Sequence, residues 1–427
     1  MNFKRPRGTA DILPHDQPYW SHVYAVAGKV ASQFDYRRID TPMFEDTDLF
    51  QRGVGDETDI VQKEMYTFED HGGDSITLRP EGTASVCRAY IENGLHNGPQ
   101  PVRLFYMAPM FRYERPQAGR FRQHHQFGVE AIGDQSPEVD AEVIELGWNY
   151  ISRLGIRNVR LRLNNLGDPE GRADYLSDLD RYFRGVADQL PKVDRDRLDR
   201  APLRVLDSKE PETLSLADNA PKSVDYLRGE VKEHWDALLV LLENMKTVYP
   251  EFSFSVDHRL VRGLDYYNRT VFEYEPVDAG GQGTLIAGGR SDPLIGILGG
   301  QDTPGIGFGS GIERMILELK KQEISVKSPR GPEVIVVALG GAGGVAAALA
   351  TGLRAAGVST VLAPKRSMKA QMRFANNLGA TNVVIVGDRE VERDVASVKS
   401  LAEGGGQSEV RLDAESIANF LSSAGSH

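Results

Sequence analysis

Between Arg112 and Glu130 the chain gathers side chains suited to a phosphate-rich ligand: Arg112, Arg115, Arg120 and Arg122 fall within eleven residues. Guanidinium forks bind phosphate in a bidentate way. Residues 101–133 alternate apolar and polar around Pro116-Gln-Ala-Gly119, which predicts a strand–loop–strand hairpin. In a strand, alternate side chains share a face. Arg122, His124, Gln126, Gly128 and Glu130 therefore point one way, and Phe121, Gln123, His125, Phe127 and Val129 the other. The first set is too polar for a core and extends over about 14 Å, at roughly 3.4 Å per residue. Gly128 leaves a gap in it where a small ligand fits against the backbone. A solvated hairpin with one polar face is the plainer account of the same pattern.

Three more segments carry potential chemistry. Gly305-Ile-Gly-Phe-Gly-Ser-Gly311 has glycine at every second position, so one strand face is bare and admits a flat ligand or another backbone. Arg314 follows in the first turn of the next helix, where a cation is unfavourable unless an anion is near. Thr77-Leu-Arg-Pro-Glu-Gly-Thr83 precedes a helix predicted over residues 84–93, so Glu81 and Thr83 read on local grounds as caps. Arg262-Gly-Leu-Asp-Tyr-Tyr-Asn-Arg269 joins two strands. It reads either as a carboxylate-binding arginine beside tyrosines or as a turn with packed tyrosines. Two features are weaker. Gly341-Ala-Gly343-Gly-Val-Ala346 matches the GxGxxA form of a dinucleotide fingerprint, but no acidic residue follows about 20 positions on. His124 and His125 face opposite ways, and no HxxxH or HExxH spacing occurs, so no protein metal site is expected.

The elements that must position these groups follow from composition and pattern. The 427 residues, 40% hydrophobic and 26% charged, allow two to four globular domains. A single cysteine, Cys87, excludes an internal disulfide and fits a cytoplasmic protein. The N-terminus lacks the apolar core of a secretory signal. Residues 334–353 carry no charge, but their glycines break them into strand, turn and helix, so no membrane span is expected. Residues 168–250 read as a mostly helical insertion between two parts of one core, 1–167 and 251–325. A helix over 312–320 has Ile312, Met315, Ile316 and Leu319 on one face. A polar segment with two prolines at 320–332 reads as a linker. Beyond it, strands near 333–339, 358–363 and 382–386 alternate with helices near 344–356 and 367–379, an α/β domain over 331–427. That domain holds nine basic and nine acidic residues, so the net charge of -11 belongs to what precedes it. Arg354, Lys365, Arg366, Lys369 and Arg373 run there without an acidic residue among them.

Taken in order, these blocks resemble the histidyl-tRNA synthetases, which are class II aminoacyl-tRNA synthetases. The opening Arg7-Gly-Thr-Ala-Asp-Ile-Leu-Pro14 and Thr77–Thr83 match. Met110–Gln117 with Gly119–Glu130 looks like class II motif 2, residues 262–267 like the peptide peculiar to the histidyl enzymes, and Gly309–Arg314 like motif 3. The resemblance implies an α+β fold with an antiparallel catalytic sheet, a helical insertion and a C-terminal α/β anticodon-binding domain. It implies that histidine and ATP form histidyl-adenylate, which then acylates tRNA(His), with Mg2+ accompanying ATP. By match of position Glu81, Gly82, Thr83 and Gln126 hold the amino acid, and Glu130, Tyr266 and Tyr267 surround its imidazole. Arg112 clamps the α-phosphate and Arg120 the outer phosphates, while Arg314 stacks on adenine and touches the γ-phosphate and His124 stacks on adenine. Arg262 bridges carboxylate and α-phosphate, making Arg262 and Arg112 the catalytic pair. Arg115, Gln117, Lys365, Arg366, Lys369 and Arg373 are expected to meet tRNA. Residues 35–44 resemble motif 1 and imply a homodimer. Ser291 and Pro293 stand where the family usually has tyrosine and glycine, which predicts an altered pocket wall. A rival reading is a histidine-sensing regulatory paralogue that partners ATP phosphoribosyltransferase.

Overall fold

The computed structural model describes residues 3–55, 58–115, 119–199, 201–278, 283–327, 331–402 and 405–424. The chain divides into two compact units, Met1–Val326 and Lys327–His427.

The first unit is organised on an eight-stranded sheet with a three-stranded satellite. In chain order the strands are β1 (Arg37–Arg38), β2 (Phe44–Asp46), β3 (Tyr66–Glu69), β4 (Ser75–Leu78), β5 (Val102–Phe111), β6 (Gln123–Ile132), β7 (Val159–Asn165), β8 (Phe254–Val256), β9 (Asn268–Pro276), β10 (Ile286–Arg290) and β11 (Gly305–Gly311). The large sheet runs β1-β5-β6-β11-β10-β9-β7-β8, and the small one β2-β4-β3. The six central strands of the large sheet pair antiparallel, and only the two edge strands join parallel. The β5–β6 hairpin pairs from Val102↔Ile132 to Phe111↔Gln123. Residues 116–118, on which the expected turn falls, lie outside the described residues.

Alternation gives each sheet face its own core. Phe105, Phe127, Val129, Ala131, Ile306 and Phe308 turn to one side, where they meet helices Gln17–Gln33, Pro137–Arg153, Gly229–Val248 and Ile312–Lys321. Ile312, Met315, Ile316 and Leu319 of the last helix are buried, the i, i+3, i+4, i+7 stripe read from its sequence. The other face carries Leu104, Tyr106 and Met110 into a second core, shared with helix Thr83–Glu92 and with Tyr175, Leu179 and Phe183 of the insertion. The insertion itself is helical, with Pro169–Gly185, Lys192–Leu198, Pro211–Ala217 and Gly229–Val248.

The second unit is a five-stranded sheet of β12 (Val334–Ala338), β13 (Thr360–Leu362), β14 (Asn382–Val386), β15 (Val395–Ser400) and β16 (Gln407–Arg411), ordered β13-β12-β14-β15-β16. Its first three strands are parallel, linked through helices Gly343–Ala355 and Met368–Asn377. Val334 and Val336 enter one core, and Ile335 and Val337 the other, which explains the unbroken apolar run. The antiparallel β15–β16 pair and the closing helix Ala414–Ala424 were not expected from the sequence. No helix among the described residues is long and apolar enough to cross a membrane.

Candidate active site

A cleft of about 270 Å³ opens on the glycine-bearing face of β11. Strand register explains its shape. One cross-strand row reads Arg162, Glu273, Ala287, Gly309, Gly128 and Tyr106, from β7 through β9, β10, β11 and β6 to β5. The middle of that row has almost no side chains, so backbone forms the floor. The glycines serve different ends. At Gly309 an added Cβ would have Gln126 as its nearest neighbour, 3.5 Å away, so this part of the floor is open. At Gly307 it would strike Glu130, and at Gly128 and Gly82 the ring of Tyr106. The gap expected at Gly128 is therefore filled by Tyr106 from the neighbouring strand. Register brings Tyr106 opposite Gly128, a pairing invisible within either strand alone.

Two buried carboxyl groups bear on the cleft: Glu81 lines it, and Glu130 lies behind Thr83, outside its lining. Glu81 accepts hydrogen bonds from the backbone N–H of Thr83 (2.7 Å) and Ala84 (2.8 Å), so it caps the helix as its position suggested. It lines the cleft as well, with the Tyr266 hydroxyl 3.5 Å away. Burial raises its pKa, against the pull of those two N–H groups. Glu130 projects from β6 and is 3% exposed; Thr83 donates its hydroxyl to it at 2.7 Å. Burial, then the nearby Glu81, push Glu130 up to about 8, while the Thr83 bond opposes them. With a raised folded-state pKa, the neutral carboxyl is the form that the fold accommodates. The stability that Glu130 contributes is fully present below the ordinary carboxylate range and is lost as pH climbs from there to about 8. Glu130→Gln removes that titration. Urea unfolding at pH 5 and pH 8.5 is expected to show wild type losing roughly 2–5 kcal/mol more than the variant over this interval. Equal losses in the two proteins would contradict this.

Arginines line the other walls. Arg112, at the end of β5, donates Nε to the Pro80 carbonyl at 2.7 Å. The loop carrying Pro80 is itself held by Arg79, whose guanidinium reaches the Pro109 and Thr41 carbonyls. Arg120 lies 3.5 Å from Glu114, which also lines the cleft. Arg314 donates Nε to the Gly119 carbonyl (3.1 Å) and Nη1 to the Thr284 carbonyl (3.0 Å), so its helix-start position is served by reaching across the cleft. Burial, followed by the proximity of Arg120, lowers its pKa. Arg262 comes from the loop before β9 and pairs with Glu273; its guanidinium lies 5.3 Å from the Tyr267 ring centre. Among the described residues its Nε is buried without a hydrogen-bond partner. His124 sits between the arginine groups, and burial together with Arg112 and Arg314 holds its pKa down at about 3, leaving a neutral flat ring.

Other expected residues fall elsewhere. Arg122 precedes the first residue of β6 and so escapes the strand alternation; it stacks 3.7 Å from the ring centre of Tyr113 instead of facing the cleft. Arg115 is exposed and outside the cleft lining, and Gly82 contributes only backbone beneath Tyr106. Gln117 lies outside the described residues. Ser291 is buried, and neither it nor Pro293 lines the cleft. Their segment is committed to Arg290, fully buried and paired with Asp140 at 2.6 Å and Asp292 at 3.0 Å. His125 turns away, as alternation requires, onto Glu313 and the edge of Trp20. In the second unit Lys365, Arg366, Lys369 and Arg373 are all exposed. Sequence reasoning missed Tyr106, Glu114, Glu273 and Thr284. Glu273 had one local signal, a lone acid inside the apolar run Thr270-Val-Phe-Glu-Tyr274.

Residues 8–170 match the family profile described as histidyl-tRNA synthetase, and residues 333–423 the one described as anticodon binding domain. A curated histidine–tRNA ligase of Dehalococcoides mccartyi is 48% identical over 413 residues, covering 96% of this chain and 97% of that protein. The chain belongs to the histidyl-tRNA synthetase family. A second histidine–tRNA ligase, from Pelotomaculum thermopropionicum, is 46% identical over 96% of this chain and 95% of its own. The crystal structure of apo Staphylococcus aureus histidyl-tRNA synthetase superposes with a TM-score of 0.81 at 34% identity, covering 98% of this chain and all of that one. The expected class II architecture, with its C-terminal anticodon-binding domain, is thus the architecture of this chain.

Proposed function

We propose that the chain is a histidine–tRNA ligase. It joins L-histidine and ATP as histidyl-adenylate and transfers the histidyl group to the terminal adenosine of tRNA(His). One observation carries this reading: Arg112, Arg262 and Arg314 line the same cleft as Glu81, with Glu130 bonded behind its Thr83 wall. A triphosphate and a small zwitterion need those opposite charges side by side. In-line attack of a carboxylate on the α-phosphorus needs positioning and charge neutralisation rather than an acid–base pair.

In this reading Glu81, Thr83 and Gln126 hold the α-ammonium group, with the backbone at Gly82 beside it. Glu130, Tyr266 and Tyr267 enclose the imidazole. The raised pKa of Glu130 suits a carboxyl waiting for a partner that a ring N–H supplies. Arg112 takes the α-phosphate and Arg120 the outer phosphates. Adenine lies between the neutral ring of His124 and Arg314, over the bare floor at Gly309. Arg262 spans the histidine carboxylate and the α-phosphate. Magnesium enters with ATP; among the described residues no three His, Cys, Asp or Glu side chains gather as a dedicated metal site.

The exposed cations Lys365, Arg366, Lys369 and Arg373 surround the start of helix Met368–Asn377, a positive end with positive side chains, which suits tRNA phosphates. Arg115 and Gln117 are assigned to the same partner. The single thiol, Cys87, is buried, which fits a cytoplasmic setting. A regulatory paralogue is not favoured, because the ligase relatives match over nearly the whole chain and the anticodon-binding domain is present. The test is ATP–pyrophosphate exchange with each of the twenty amino acids, followed by tRNA charging. Exchange is expected with histidine alone; exchange with another amino acid, or none at all, would overturn the assignment.

A homodimer is part of the proposal. Phe44 (53% exposed) and Phe68 (47% exposed) stand on one face of the small sheet, in register with Leu78 and Ile76. Such a face suits a second copy of the chain. Phe44→Asp with Phe68→Asp is expected to convert a two-chain sedimentation species to one chain. An unchanged mass would place the interface elsewhere.

A further inference from the structure

We infer that Glu273 and Thr284 are positioning residues that hold Arg262 and Arg314 at one spacing across the cleft for the adenylation step. The inference rests on the function proposed above.

Glu273 stands on the cleft-facing row of the sheet, one strand from the bare floor, and engages from three directions. It pairs with Arg262, accepts the Thr284 hydroxyl at 3.1 Å, and has Arg162 of the adjacent strand 3.9 Å away. Arg162 is itself pinned by Asp257 at 2.8 Å. Thr284 in turn accepts from Arg314 through its backbone carbonyl at 3.0 Å. The chain of contacts therefore runs Asp257, Arg162, Glu273 and Arg262, with Thr284 tying Glu273 to Arg314.

This arrangement does more than neutralise a buried charge. Glu273 occupies one edge of the Arg262 guanidinium, while Nε has no partner among the described residues. The arginine is thus anchored by Glu273 while its side chain still lines the cleft. An arginine fork positioned before the ligand arrives loses less freedom in the transition state. Thr284 extends the anchoring to the arginine assigned to adenine, so the two cations cannot drift apart independently. Neither Glu273 nor Thr284 is assigned a contact with the reacting atoms.

The test uses the full-length protein with histidine, ATP and Mg2+. For Glu273→Gln, which keeps shape and loses charge, the exchange kcat is expected to fall about 30-fold, with KM for histidine and ATP changing less than about threefold. Transfer from preformed histidyl-adenylate to tRNA is expected to stay within about twofold, which a general loss of structure would not permit. Thr284→Ser, which keeps the hydroxyl, is expected to rescue the activity that Thr284→Val loses. The Glu273→Gln, Thr284→Val double variant should be no slower than Glu273→Gln alone, because the two act through one contact. Near-normal exchange in Glu273→Gln overturns the inference, as does a defect cured by excess Mg2+, which would make Glu273 a metal-binding group. Arg262→Ala separates the two levels. If that variant also retains exchange, the proposed function of the cleft fails; if only Glu273→Gln is active, the positioning role alone fails.

Discussion

Arg262→Ala is expected to lower histidine-dependent ATP–pyrophosphate exchange by about 100- to 1,000-fold. The argument is electrostatic. Arg262 belongs to the small set of cations that line the cleft, so it places a partly desolvated guanidinium where negative charge grows during attack. Removing an oriented donor of this kind costs roughly 3–4 kcal/mol in a transition state that forms more charge than the ground state. The fold is expected to survive, because Glu273 keeps Thr284 and Arg162 as neighbours. Arg262→Lys restores charge but not the planar fork, and should recover only a small part of the activity. Exchange within tenfold of wild type in Arg262→Ala, with a cooperative melt, would remove Arg262 from the mechanism.

Replacing Lys365, Arg366, Lys369 and Arg373 together by glutamine is expected to reduce tRNA charging efficiency about 100-fold, while leaving histidine-dependent exchange within about twofold. All four are exposed on the second unit, which has its own two cores, so their loss disturbs no packing. Their contribution is to phosphate neutralisation, which also sets the dependence on salt. The wild-type rate should fall steeply between 50 and 200 mM salt, and the variant more gently, by on the order of three to four fewer counterions released. An unchanged salt slope would show that tRNA approaches another face.

How much of this was legible beforehand follows from the range of the interactions involved. His124, Gln126 and Glu130 were read correctly onto one face, because the two-residue period of a strand is local stereochemistry. The same rule failed at Arg122, since β6 begins one residue later, and it misjudged Gly128, whose gap is filled from β5. Which strand lies beside which is long-range information. For that reason Tyr106 and Glu273, four strands apart in one row, were invisible as site residues. Glu81 was read from its own segment as a cap and is one, but only the sheet beneath it makes it also a wall of the cleft. In the second unit, β16 went unread because its polar residues 407–411 are mostly exposed and carry no burial pattern.

The open floor at Gly309 has one more implication. A methyl group there would meet no protein atom closer than 3.5 Å, so alanine at this position leaves the fold content while taking volume from whatever base lies above it. At Gly307 or Gly128 the same change collides with the enzyme itself. Gly309 is therefore the natural place to build a steric mismatch: an enzyme that rejects the ordinary nucleotide yet accepts a pared-down analogue, made without touching a single charged group.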